Sequence, residues 1–497
     1  MLPQALSGSF GLLMFAAILV LLMAGFPVAL TLAGTGVAFA AIGSLLGIFD
    51  FHLISALPLR MIDLMYNDLL QAVPLFIYLG VILNETTIAS EMLNGLAGLF
   101  GDRAGGYSFA TLIVGALLAP MTGVVGATVL TIGLLALPSM LKAGYDHRLA
   151  TGIVASAGSL GTILPPSIIL IVLSDLMQGA LAGARERLGQ SANAVMTESD
   201  LFLGAVLPVA LLLGLYLLIA VGVAWFAPQR CPPIAVPADR RPGRVRLLVS
   251  LVTPVALIAI MLGAVITGLA YVVEAAALGA VAATLLALRR GELTFRRMAA
   301  VVRGVARLTG MVFMLLIGAS MFSLVFRGFD GDLFVARLLG LVPGGVFGAT
   351  LVVMVIIFVL GFFLDALEIM LLVVPIAMPP LLVHGADPVW LAVLTAVNLH
   401  TSFLMPPFGF ALFFTRSIAP AEVSTLEIYR GALPFIAVHV LALALLWTNP
   451  EIATLLPRLA SGGPSPSAVS PDSVGVRLPA PAGVTDAPLE ITKPQNR

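Results

Sequence analysis

Long stretches without any charge organise this chain. No Asp, Glu, Lys or Arg precedes Asp50, and further uncharged runs cover 104–141, 149–174, 201–229, 247–273, 308–326, 338–364, 388–415 and 431–450. A bilayer-crossing helix needs about 20 apolar residues, so several runs hold one crossing and the longest hold two; the rule gives about 11–12 spans plus shorter broken pieces. Backbone groups in hydrocarbon must be satisfied within the segment, so the spans are helical. The runs lack the short alternation of barrel strands. The pattern predicts an all-α polytopic protein of the lipid bilayer. Ser9–Ala24 runs straight into a second apolar segment with no basic region before it, so it reads as a retained span and not a cleaved leader.

Composition narrows the function classes. Of 497 residues, 60% are hydrophobic and 10% charged, with a mean hydropathy of +1.11. Soluble domains carry about 25% charged residues, so a water-soluble globular protein is excluded. Lys+Arg and Asp+Glu both total 25, and this balance gives no sign of nucleic-acid binding. One cysteine, Cys231, leaves no disulfide framework and no thiolate cluster. His52, His147, His384, His400 and His439 have no metal-ligand spacing, and no P-loop is present. The chain therefore reads as neither an enzyme nor an ATP-driven pump.

The polar exceptions set the topology. Arg240, Arg241, Arg244 and Arg246 precede the apolar segment 247–268, and Arg289, Arg290, Arg296, Arg297, Arg303 and Arg307 follow the apolar segment 270–288. Two spans between the clusters put both on one side, which the positive-inside rule makes cytoplasmic. Residues 51–71 mix Leu, Ile and Met with Arg60, Asp63 and Asp68, as an interfacial amphipathic helix does. Gly183–Asp200 reads as a solvent-facing loop. The Pro-, Ser-, Ala- and Gly-rich stretch 458–497 reads as a disordered tail.

An internal repeat carries the functional signal. Pro138, Gly144, Asp146, Pro165 and Pro166 recur 241 residues later as Pro379, Gly385, Asp387, Pro406 and Pro407. Identity over the two windows is seven of 31 positions, but it falls on residues that dictate backbone shape. A proline within a helix removes a donor and clashes with the preceding turn, so each Pro-Pro pair predicts an unwound stretch inside an apolar segment. Interrupted segments at matching positions of two halves point to a transporter binding site. Half-helix N-termini suit a carboxylate, and freed carbonyls suit sodium. Beside the breaks stand Ser156, Gly158, Ser159, Gly161 and Thr162 in one half, and Asn398, Thr401 and Ser402 in the other. A channel would instead need pore-lining rings from a symmetric assembly.

Several segments carry a resemblance. The run from Met121 to Thr128 (MTGVVGAT), then LPSMLKAGY, SAGSLGTILPPS, LGFFLDALEI and NLHTSFLMPPFGFALFF, closely resembles the large, DctM-like membrane subunit of TRAP (tripartite ATP-independent periplasmic) transporters. The likeness runs from Gly25 to about Leu446, and the wording of the second half looks most like the branch named for mannitol or chloroaromatic compounds. The resemblance implies an ion-transporter-superfamily fold with an inverted repeat, two helical hairpins and two broken helices. It implies an elevator mechanism that imports an organic anion, with sodium as coupling ion and no other cofactor. It further implies a small four-helix membrane subunit and a periplasmic solute-binding protein as partners, in a bacterial inner membrane. The rival is a stand-alone sodium–carboxylate symporter of similar fold.

On that resemblance the chain divides into N-terminal spans with an interfacial helix (1–71), a first repeat (72–227), basic loops flanking two spans (228–307) and a second repeat (308–450). The first hairpin tip is expected at 121–128 with Thr122, Gly123, Gly126 and Thr128, and the first broken helix at 158–167. The second tip is expected at 361–368 and the second broken helix at 398–409. The implied ion and substrate set adds Ser159, Gly161, Thr162, Pro165, Pro166, Asp365, Asn398, Thr401, Ser402, Pro406 and Pro407. Val124 departs from a hydroxyl in the first tip, and His400 stands where close relatives tend to carry glutamine; it reads as a buried neutral histidine donating one hydrogen bond, with a pH-sensitive or substrate contact as the alternative. A carboxylate at the bilayer centre costs roughly 2.5–3.5 kcal/mol and needs a partner or a cavity. That argument singles out Asp365 for an ion or substrate role. It leaves Glu274 as the anchor of a turn and Asp175 as a helix end.

Overall fold

The computed structural model describes residues 2–100, 103–122, 125–189, 196–234 and 244–461, and every regular element among them is helical. The first part of the chain forms α1 (Leu2–Met23), α2 (Val28–Leu45), α3 (Leu57–Tyr66), α4 (Asp68–Asn84) and α5 (Ile88–Phe100). There follow α6 (Gly106–Thr122), α7 (Val125–Lys142), α8 (His147–Ser159), α9 (Ile168–Arg187) and α10 (Glu198–Phe226). Next are α11 (Arg244–Ile266), α12 (Val272–Arg289), α13 (Phe295–Gly328), α14 (Gly331–Gly340) and α15 (Gly345–Leu360). The chain continues with α16 (Ala366–Val383), α17 (Pro388–Phe403), α18 (Phe410–Ile418), α19 (Thr425–Thr448) and α20 (Glu451–Ser461).

Eight of these helices are long and apolar enough to cross a membrane, or nine if the bent pair α3–α4 is one span. Among the described residues, five further apolar segments run for 10–17 residues: Ser9–Met23 of α1, Ile88–Phe100, Gly106–Leu118 of α6, Leu251–Ile266 of α11 and Gly345–Leu360.

Local chemistry repeats at the offset of 241. Moved by that offset, the bounds of α7 coincide with those of α16, and α8 starts where α17 starts. Gly144 and Gly385, which end the turns ahead of α8 and α17, have φ of +85° and +92°, a region that favours glycine. Asp146 Oδ1 then accepts from the Arg148 and Leu149 amides at 2.8 and 3.3 Å. Asp387 Oδ1 does the same for Val389 and Trp390 at 2.9 and 3.0 Å. Such side-chain caps satisfy amides that the first helical turn leaves without partners. The Pro165–Pro166 and Pro406–Pro407 bonds are both cis.

Packing crosses between the halves: α7 lies on α18, and α16 on α9. Helices α4 and α13 run in opposite directions. Val81, near the end of α4, lies beside Gly304 in the first third of α13, while Arg60, ahead of α4, lies within electrostatic reach of Arg327 near the end of α13. The buried core is continuous along these contacts, with Phe322, Phe326, Phe403 and Phe435 among its largest members.

Several boundaries differ from expectation. The amphipathic helix ends at Tyr66 and not 71, because Asn67 turns the chain through 55° and its Oδ1 caps α4 by accepting from Leu69 and Leu70. The second arginine cluster is not in a loop: Arg296, Arg297, Arg303 and Arg307 ride on α13, which Thr294 starts by accepting from the Arg297 amide at 3.3 Å. Arg240 and Arg241 lie outside the described residues. The polar insert is shorter than 183–200, since α9 reaches Arg187 and the Thr197–Asp200 capping pair starts α10; residues 190–195 lie outside the described set. Residues 458–461 belong to α20, and 462–497 lie outside the described residues.

Candidate functional site

In the first half, α8 stops at Ser159 and one 3-10 turn, Leu160–Thr162, follows. The chain is then irregular over 163–167, across both prolines, until Ser167 caps α9 by accepting from the Ile169 amide at 3.2 Å. In the second half α17 continues to Phe403, and the irregular stretch covers 404–409, across Pro406 and Pro407. Asn398, Thr401 and Ser402 therefore stand on regular helix, and the irregular stretch falls in the latter half of the expected broken helix 398–409. The proline ring excludes the turn that precedes it, which places each loss of helix just before the pair.

The hydroxyls beside the breaks share one feature. Ser159 Oγ donates to the Ser156 carbonyl at 3.0 Å, Thr162 to Ser159 at 3.1 Å, and Ser167 to Thr162 at 3.0 Å. Thr401 donates to Val397 at 2.8 Å and Ser402 to Leu399 at 2.7 Å. Each hydroxyl has a single proton and two lone pairs. With the proton given to a carbonyl of the same segment, each oxygen offers only lone pairs to its surroundings. Asn398 behaves alike: its Nδ2 donates to the Met354 carbonyl of α15 at 2.7 Å, leaving Oδ1 as acceptor. It also lines a cavity of about 240 Å³ with Met354, Phe358 and Leu394. Ser156, Ser159, Gly161, Thr162, Ser167, Asn398, Thr401 and Ser402 are buried, as are Pro165 and Pro166, whereas Pro406 is half-buried and Pro407 exposed. Oxygen acceptors without competing donors suit a hard cation.

The hairpin tips bear on these breaks unequally. Between α15 and α16 the tip is 361–365, shorter than the expected 361–368, since α16 takes up at Ala366. Gly361 touches Ser402, as a Cβ there would lie 1.9 Å from Ser402 Oγ. In the first tip, Gly123 and Val124 lie outside the described residues. Gly126 is in α7, where a Cβ would come within 2.5 Å of the Phe414 ring on α18, so it serves close packing across the halves. Thr128 is buried in α7, and Gly158 abuts Val129.

The carboxylates are cap-forming. The Asp365 amide donates to Glu368 Oε2 at 3.0 Å at the start of α16, and Asp365 itself is half-buried. Glu274 likewise takes the Tyr271 amide at 2.9 Å and anchors the turn into α12. Asp175 does not end a helix. It lies mid-way along α9 and accepts Asn67 Nδ2 at 2.7 Å.

The offset also joins two residues directly. Ser159 and His400 occupy equivalent positions, and His400 Nε2 meets Ser159 Oγ at 2.8 Å. His400 is buried, as its sequence reading required. Its ring lies 4.4 Å from that of His439 on α19, and His439 Nε2 makes a short hydrogen bond with Tyr216 of α10. Sequence reasoning passed over Tyr216 and His439. The signal was there, since each is a polar ring within an uncharged run, 201–229 and 431–450.

Residues 15–452 match the family described as Tripartite ATP-independent periplasmic transporter, DctM component. The chain belongs to this family. This DctM-family permease is 25% identical, over 90% of its length and 99% of the relative, to the C4-dicarboxylate TRAP transporter large permease protein DctM of Rhodobacter capsulatus. It is 26% identical to the sialic acid TRAP transporter large permease protein SiaM of Vibrio cholerae, over 89% of this chain and 97% of that one. The same identity holds for the ectoine TRAP transporter large permease protein TeaC of Halomonas elongata, over 90% and 99%. Among solved structures, the fold is shared with Neisseria gonorrhoeae MtrF (TM-score 0.57, 12% identity, 80% and 83% covered). It is also shared with the YdaH transporter of Alcanivorax borkumensis (TM-score 0.56, 14% identity, 93% and 100% covered). The DctM-family permease is thus a large TRAP permease subunit with an all-helical transporter fold.

Proposed function

We propose that this permease uses an inward sodium gradient to import an organic acid anion, which a periplasmic solute-binding protein delivers, through an elevator movement. The observation that carries this reading is the pair of breaks at matching positions, each flanked by oxygens whose protons are already donated. Sodium binds among the hydroxyl, carbonyl and amide oxygens of Ser159, Gly161 and Thr162 in one half, and of Asn398, Thr401 and Ser402 in the other. The substrate's acidic group is set between the breaks by the positive helix ends at the starts of α9 and α18. Helices α4 and α13 run in opposite directions, as matching members of an inverted repeat do, and two such halves can exchange conformations around one site.

C4-dicarboxylate and sialic acid, named for the relatives above, both carry an acidic group. An isethionate TRAP transporter permease protein of Oleidesulfovibrio alaskensis bears the name DctMQ, and this chain covers 64% of it at 28% identity. That remainder supports a separate small membrane subunit as partner here. Arg289 and Arg290 at the end of α12, with Arg296, Arg297, Arg303 and Arg307 in the first part of α13, face the cytoplasm of a bacterial inner membrane. Uptake of organic acids into proteoliposomes holding the permease, its small subunit and its binding protein tests the reading. Accumulation should follow an imposed sodium gradient without ATP; accumulation that ignores sodium and collapses with the proton gradient rejects it.

A further inference from the structure

We infer that His400 is a positioning residue that couples the sodium sites of the two broken helices through its bond to Ser159. The inference rests on the sodium reading above and adds to it the group that makes the two sites answer to each other.

The hydrogen-bond inventory fixes the proton on His400. Ser159 has one hydroxyl proton, which goes to the Ser156 carbonyl at 3.0 Å. Its oxygen can then only accept from His400 Nε2, so His400 is the tautomer protonated at Nε2. That leaves Nδ1 as a bare lone pair, and among the described residues it has no partner; neither does His439 Nδ1. Ser159, His400, His439 and Tyr216 are all fully buried. A polar atom buried without a partner destabilises a fold, and packing alone is served as well by leucine. A histidine held here with only one nitrogen satisfied is explained by what that nitrogen does.

It joins the breaks. Ser159 is the last residue of α8, and its carbonyl accepts from Thr162 Oγ1 at 3.1 Å within the first break. His400 is next to Thr401 and two residues from both Asn398 and Ser402. A sodium ion that draws in the oxygens of one break therefore shifts one end of a 2.8 Å bond whose other end is in the second set. The edge-on contact with His439, 4.4 Å between ring centres at 70°, keeps the imidazole from swinging away. Tyr216 in turn holds His439. Coupling between binding sites is reciprocal and commonly amounts to about fivefold or more in affinity.

The test is the sodium dependence of uptake by the assembled transporter in proteoliposomes, read as a Hill coefficient. Wild type should be cooperative. His400→Leu, which keeps the bulk and removes the donor, should fall towards a Hill coefficient of about 1 and need several-fold more sodium for half-saturation, by the coupling argument. His400→Gln, whose side-chain amide can still donate to Ser159, should restore cooperativity, which a packing role would not require. Ser159→Ala removes the acceptor together with a hydroxyl of the first sodium set, and reads the same bond should His400→Leu fail to insert; the double variant should be no worse than Ser159→Ala alone. A hyperbolic wild type, or a His400→Leu variant or a Ser159→Ala variant as cooperative as wild type, overturns this inference alone. A wild type indifferent to sodium overturns the sodium reading and this inference with it.

Discussion

Gly361, in the tip between α15 and α16, lies against Ser402 so closely that a methyl group there would sit 1.9 Å from the hydroxyl oxygen and 2.4 Å from Cβ. The tip backbone is ordinary at this residue, with φ of −64°, so the constraint is space alone. The second hairpin thus closes directly over the helix that leads into the second break. The Ser402 side chain is the floor on which the tip rests.

Gly361→Ala should therefore destabilise through overpacking, by about 1–3 kcal/mol. Ser402→Gly removes both clashing atoms at about 1 kcal/mol for a helical glycine. Thermal unfolding of purified protein should show the double variant more stable than Gly361→Ala alone. Additive losses would mean that the tip and Ser402 do not share this contact.

The fold was legible wherever a residue dictates backbone shape by itself. Gly144 with Asp146, and Gly385 with Asp387, mark the same turn and cap in both halves, and the prolines mark both breaks. Apolar runs do not say where a helix stops: 104–141 divides between α6 and α7, and 338–364 among the end of α14, α15 and the tip that follows. Arginines that set topology do not reveal whether they stand on a loop or, like Arg297 and Arg303, on a long helix. The site was legible along α8 and α17 because the repeat flags both. His439 and Tyr216 come from α19 and α10, which lie outside the repeated windows, and only tertiary packing brings them to His400. Asp365 draws attention in the sequence as an intramembrane carboxylate, and in the structure it forms a reciprocal capping box with Glu368 at the start of α16.

Asn67 fastens the bend between α3 and α4 to α9, capping α4 with Oδ1 while donating Nδ2 to Asp175. Asn67→Ala loses a cap, worth about 1 kcal/mol, and leaves the Asp175 carboxylate without its donor. Asn67→Ala should lower the unfolding midpoint. Combined with Asp175→Ala it should lose less than the sum of the single losses, as expected for partners in contact. Strict additivity would show that the 2.7 Å bond contributes nothing.

Cys231 is buried between α10 and α11, and burial pushes its thiol pKa up. The reactive form is the thiolate, so at pH 7–8 its fraction falls below that of a free cysteine. Maleimide labelling of the folded protein should be slow and should rise only on unfolding. Fast labelling at pH 7 would contradict the buried placement.

The last prediction concerns the prolines. A helix interior disfavours proline by about 3 kcal/mol relative to alanine, so two at each break need a structural return. In the second half, α17 gives way at Leu404 and the chain is irregular until α18 begins at Phe410. Pro406→Ala with Pro407→Ala restores two amide donors and removes the rings, so helix can extend into this stretch and take up carbonyls that the break leaves open. The variant should still insert, because alanine is accepted in membrane helices, while sodium affinity and uptake fall together. The same pair of changes at Pro165 and Pro166 should act alike, since Ser159 and Thr162 hold the corresponding place beside the first break. Surface expression, sodium-dependent protection from unfolding, and uptake measured on both double variants decide the matter. If both transport normally with unaltered sodium dependence, the prolines only shape packing, and the oxygens beside the breaks lose their claim to the ion.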